Sequence, residues 1–223
     1  MKVPKNWNQV TVDQYQQALP FYKKAIEEPD SIKSLDNWSA VIAILTNSQL
    51  DTIQSMDIGK LKAVIKKLSF LSETKFYGRR KHLLFHNNTL YKAPKEAREF
   101  STAMYVDYKT FLGRDGGMIS NLHFILATIY EPYFKTKQSH EKRANEFKGI
   151  AIGKVYPVVF FYSIAYRNSI KRIQEYGIKI AEEKIAEAQS ILMETLRETL
   201  EDIGGGTVQS TNSQMETLLK KMS

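Results

Sequence analysis

Apolar residues recur at helical spacing along most of this chain, most densely between Met104 and Pro132. There Ile119, Leu122, Leu126 and Ile129 fall three or four residues apart and share one face, while Phe124 and Ile125 add apolar surface on another side. The pattern predicts a helix over 118–130, stopped by Pro132. A helix apolar around so much of its circumference belongs at the centre of a domain. A shorter aromatic helix over 106–112 precedes it, and the glycines at 113, 116 and 117 between the two allow positive backbone dihedrals.

The same period organises what comes before. After an extended lead-in over 2–8, Thr11 and Gln14 have the spacing of a capping box, with Val10 and Tyr15 placed for a hydrophobic staple and Trp7 beside them. Pro29-Asp30-Ser31 breaks that first helix from a second over 35–45, which carries Trp38, Val41, Ile42 and Leu45 on one face. Thr46-Asn47-Ser48 is a turn, and a short helix over 48–55 directs Leu50 and Ile53 inward. Asp57 caps the next helix, to about 71. Leu61, Val64, Ile65, Leu68 and Leu71 face inward there, and Lys60, Lys62, Lys66 and Lys67 make its outer face. The period then changes. Leu83-Leu84-Phe85 and Leu90-Tyr91 flank His86-Asn87-Asn88-Thr89, and asparagine tolerates the left-handed region, so 83–92 reads as a small hairpin that must lean on the helices around it. Pro94 permits a helical turn through Phe100, and the polar stretch 135–148 reads as including a loop.

From Lys154 the chain reads as helical for about fifty residues. Pro157 fits a first turn, Val158, Val159, Phe161, Tyr162 and Ala165 face inward, and Gly177 is a point where the helix can bend. Beyond it Ile185, Leu192, Leu196 and Ile203 lie on one stripe among glutamates. Unbroken, such a helix is about 75 Å long, more than a domain of this size can cover, so its far stripe is expected to bind another surface. Gly204-Gly205-Gly206 ends it and 207–213 is linker-like. Residues 214–222 form either a short docking helix with Met215, Leu218, Leu219 and Met222 or a frayed terminus. The expected fold is mainly α. It has a helical core over 1–153 with one small β-hairpin near 83–92, a long C-terminal amphipathic helix over 154–203, and a flexible tail over 204–223.

Composition narrows the setting. A length of 223 residues holds one good core, or a core and an appendage. The absence of cysteine excludes disulfides and thiolate metal sites, which fits a reducing compartment or a particle that never depends on disulfides. The opening residues lack the apolar segment of a signal peptide, and the longest apolar run, 155–162, is too short to span a bilayer. Synthesis in a cytoplasm and no membrane partner are therefore expected. The net charge of +8 is uneven: 60–81 holds eight cations and one acid, and 182–202 holds seven acids and two cations. Three readings are open: two solvated helix faces, head-to-tail self-association of basic region and acidic arm, or nucleic-acid contact. For the last, Arg79, Arg80 and Lys81 lie beside Phe76 and Tyr77, rings that can stack on bases, and Lys62, Lys66 and Lys67 extend the charge.

Catalytic chemistry finds little support. His82 and His86 flank a strand rather than share a helix face, and the further ligands of a metal site are not evident. His123 reads as a packed, hydrogen-bonded residue of the central helix. Gly113-Arg114-Asp115-Gly116-Gly117 lacks the Gly-Lys-Ser/Thr ending of a nucleotide loop and reads as a turn. No serine sits in a nucleophile elbow. The expectation is no enzyme and no cofactor.

Two segments carry a family resemblance. One is Pro4-Lys5-Asn6-Trp7-Asn8-Gln9-Val10-Thr11-Val12-Asp13-Gln14-Tyr15, followed by Ile42-Ala43-Ile44-Leu45-Thr46 and Leu68-Ser69-Phe70-Leu71. The other is Tyr105-Val106-Asp107-Tyr108, then Asn121 to Tyr130. Together these resemble small virion and tail-morphogenesis proteins of tailed bacteriophages of Bacteroidetes hosts, including crAss-like phages. The resemblance covers about residues 4–165 in aromatic and apolar spacing, and excludes the acidic arm and the tail. It implies a non-enzymatic virion protein that works by contact. In one form many copies make a ring at the neck or tail, touching one another and other tail or portal-proximal proteins. The interface candidates come from the uncovered stripe and the tail, not from the resemblance: Ile185, Leu192, Leu196, Ile203, Leu218 and Leu219. In another form the protein is a tail assembly chaperone whose stripe holds a client. A nucleic-acid-binding accessory protein using 60–82 is the third reading.

Overall fold

The computed structural model describes residues 1–29, 31–72, 80–134 and 138–202. Among them the chain is mainly α-helical, and it divides after Arg167 into two compact units, the second beginning at Asn168.

The first unit starts as its capping chemistry dictates. A 3-10 turn at Trp7–Gln9 replaces the extended lead-in and buries Trp7. Thr11 Oγ1 then accepts from the Gln14 amide nitrogen at 3.1 Å while Gln14 Oε1 accepts from Thr11 N at 3.0 Å, closing the capping box of α1 (Val12–Glu27). Val10 and Tyr15 are buried, and Trp7 meets Tyr15 edge-on with centroids 5.6 Å apart. Helix α2 (Ile32–Thr46) packs on α1 through Tyr22 and Trp38 and ends at Asn47 in the left-handed region. The side-chain Nε2 of Gln14 donates to the Ile44 and Leu45 carbonyls at that end. Helix α3 (Leu50–Gln54) buries Ile53, whereas Leu50, its first residue, is 42% exposed rather than inward. Asp57 caps α4 (Ile58–Lys67), which buries Leu61 and Val64, exposes its lysines and ends at the buried C-cap Leu68. A 3-10 turn at Ser69–Ser72 then buries Phe70.

The hairpin is β1 (Leu83–His86) and β2 (Thr89–Lys92), joined by Asn87 and Asn88, both at positive φ (45° and 57°). A third strand, β3 (Glu131–Pro132), pairs with β2 and gives the order β1-β2-β3. This corrects the role given to Pro132. The preceding helix already ends at Ile129, Tyr130 is extended, and Pro132 sits on an edge strand.

The aromatic helix α5 (Thr102–Gly113) starts earlier than its apolar pattern, because Ser101 caps it through Met104 N at 3.2 Å. The central helix is broken into α6 (Gly117–Ser120) and α7 (Leu122–Ile129). Asn121 sits at the break, donating its side-chain amide to the Asp115 and Gly117 carbonyls. Helix α7 is as central as its pattern requires: every side chain from Leu122 to Ile129 is buried except the half-buried Phe124. The polar stretch expected to include a loop holds α8 (His140–Phe147), capped by Ser139 and anchored by fully buried Ala144 and Phe147.

Helix α9 (Ile152–Asp202) is continuous, passing through Pro157 and Gly177. Ile152 N donates to Val10 O, and Val12 N to Ile150 O, both at 2.8 Å, tying its start to the head of α1. Val155, Val158, Val159 and Tyr162 complete the core, so the expected boundary at 153/154 marks the start of the helix rather than the end of the compact unit. Phe161 and Ala165 are half-buried.

Candidate functional site

Titratable groups inside the first unit are held by packing and local hydrogen bonds. His123 is buried, and its Nδ1 lies 3.1 Å from Gln16 Nε2, which also donates to the Ile119 and Ser120 carbonyls. Burial, then the charge of Lys148, pulls its pKa down to about 4, with Asp13 opposing. His140 stacks on Phe111 and Phe124 and contacts Thr128 Oγ1 at 3.1 Å, and burial also lowers its pKa. His82 Nδ1 meets the Pro94 carbonyl and His86 Nε2 the Glu146 carbonyl, so the two point to different parts of the fold. Among the described residues no group of three or more His, Asp or Glu side chains is placed to hold a metal ion.

The glycine loop has its own occupant. Gly116 and Gly117 take positive φ (77° and 61°), and the Arg114 guanidinium lies 4.5 Å over Phe111 and 5.3 Å over Phe124. A cleft of about 460 Å³ is lined by Lys2, Gln9, Asp13, Gln14 and Asn47 among others. Of these, Gln14 is committed to the capping box and to the α2 carbonyls.

The basic residues divide. Lys62, Lys66 and Lys67 are exposed on α4, and Lys81 is exposed before β1. The Arg80 guanidinium instead lies 3.8 Å over the Phe161 ring and is half-buried. Arg79 lies outside the described residues.

Among the described residues, the second unit carries the largest group of exposed large apolar side chains. Ile185 and Leu192 are exposed at 58% and 59%, seven residues apart and so on one face of α9. Leu196 is half-buried, while Ile203, Leu218 and Leu219 lie outside the described residues. Ile173, Tyr176, Ile178, Ile180, Ile191 and Met193 are exposed on the same helix and were not among the expected interface residues. Their spacing was the available signal: Ile178, Ile185 and Leu192 repeat every seven residues. The first unit also exposes Leu83, Phe85, Tyr133 and Phe134 at its small sheet. No described helix is long and apolar enough to cross a membrane. Compared with protein-family models, with curated proteins and with solved structures, the chain matches none.

Proposed function

We propose that this protein is a non-enzymatic structural or assembly protein of a tailed-phage virion, a ring-forming neck or tail component that acts through protein contacts. One observation carries the contact part of the reading. From Ile173 to Met193, α9 keeps eight large apolar side chains more than a third exposed. Soluble monomers rarely present so much apolar surface on one element, and such surface marks an interaction site. The virion setting rests on the resemblance over residues 4–165. Ile185, Leu192 and Leu196 are the residues assigned to the interface.

Mass spectrometry of purified particles tests the setting. The reading expects this chain in the mature particle at many copies. Its absence from particles, with particle formation still dependent on it, would replace the ring component by an assembly chaperone using the same stripe. The exposed lysines of α4 leave nucleic acid as a weaker reading, since Arg80 is engaged by Phe161.

A further inference from the structure

Within α9, Ile178, Ile185 and Leu192 stand seven residues apart, and Ala181, Ala188 and Thr195 follow each of them by three. A repeat of this kind places both sets on one seam, the a and d positions of a coiled coil. The three large residues are 58–59% exposed, and the two alanines are exposed as well. The Thr195 hydroxyl donates to the Ile191 carbonyl at 2.9 Å, so that side chain offers its methyl group to the seam.

The alternation of large and small residues selects an occupant. Two parallel copies would stack Ile178 on Ile178 and Ala181 on Ala181, setting thick layers beside thin ones. Two antiparallel copies, related by a two-fold axis between Ala186 and Glu187, set Ile178 against Thr195, Ile185 against Ala188 and Leu192 against Ala181. A large residue then meets a small one in every layer, the arrangement that interdigitates best. Charge selects the same direction. Before the seam's midpoint stand Arg167, Lys171, Arg172, Lys179 and Lys184 with three acids, Glu175, Glu182 and Glu183, a net positive half. After it stand Glu187, Glu194, Glu198, Glu201 and Asp202 with one cation, Arg197, a net negative half. Parallel pairing lays like charge on like, and antiparallel pairing lays each basic half on an acidic half.

We infer that the occupant of this seam is α9 of a second copy, antiparallel, with Ile185 of each copy opposite Ala188 of the other. The inference rests on the reading of α9 as an assembly interface and names its partner and direction. Such a contact is isologous and closes as a pair, so a ring of this protein uses a further surface and holds its copies two by two.

The chain has no cysteine, which makes a directional test direct. Full-length Ile178→Cys and Thr195→Cys are expressed singly and together and oxidised mildly. Positions 178 and 195 are roughly 25 Å apart along one helix, and a disulfide joins Cα atoms no more than about 7 Å apart. A covalent dimer is expected from co-expression and from neither variant alone. Glu183→Cys, on the opposite face, is expected to give none. Dimers of each variant with itself would establish parallel pairing and overturn the inference. So would the absence of a cross-link on co-expression. In that last case an oligomeric mass in solution would leave the ring reading standing. Conversely, a cross-link in a chain missing from purified particles would keep the pairing and remove the virion reading.

Discussion

Asn87 and Asn88 decide the shape of the hairpin. Both occupy the left-handed region, where a side chain with a Cβ is disfavoured by about 1–2 kcal/mol unless it is asparagine, aspartate or glycine. Asn88→Ala is expected to destabilise the first unit by about that amount, and Asn88→Gly to leave it unchanged. Urea unfolding distinguishes the two, and equal midpoints would contradict the account. His123 gives a second test at this scale. Its folded pKa, about 4, lies below the ordinary value of 6.5, so in that interval the unfolded chain binds the proton that the folded chain refuses. The neutral ring therefore contributes stability that is complete above about pH 6.5 and is lost as pH falls towards 4. Thermal melts from pH 7 to pH 4 should show a steeper loss for the native chain than for His123→Gln, and parallel curves would refute the assignment.

Among the elements, the strongly periodic ones were legible and the ones defined by tertiary partners were not. The Thr11–Gln14 box, the lysine face of α4, the Asn-Asn turn and the length of α9 follow from spacing and side-chain chemistry, and the structure has all four. The break at Asn121 was hidden because the apolar pattern runs through it, and only the side-chain bonds to Asp115 and Gly117 reveal it. Helix α8 was hidden for the opposite reason. It buries only Ala144 and Phe147, too few for a periodic signal, and its place depends on contacts with α7 such as Arg143 Nε to the Ala127 carbonyl at 3.0 Å. Strand β3 is two residues long and exists only by pairing with β2. Of the proposed interface, Ile185 and Leu192 follow from helical spacing and are exposed, while its extension to Ile178, Ala181 and Ala188 needed a seven-residue period. The division after Arg167 carries its own prediction. A chain ending at Arg167 should keep the cooperative unfolding of the first unit, since Val155 to Tyr162 are retained, and should lose self-association. Loss of the folded signal in circular dichroism would show that the two units are not separable.

At the scale of the molecule, charge and apolar surface are segregated along the chain: cations gather at 60–81, and acids along 182–202. Such a distribution favours contacts between copies that weaken as salt screens them, with a screening length of about 10 Å at 0.1 M. The central claim is that this protein works by self-contact through α9. Light scattering on the purified full chain, at low and at moderate salt, tests it most directly. The account predicts a closed oligomer with an even number of copies, on the order of six or twelve, losing mass as salt rises. A monomer at both salt concentrations would contradict it.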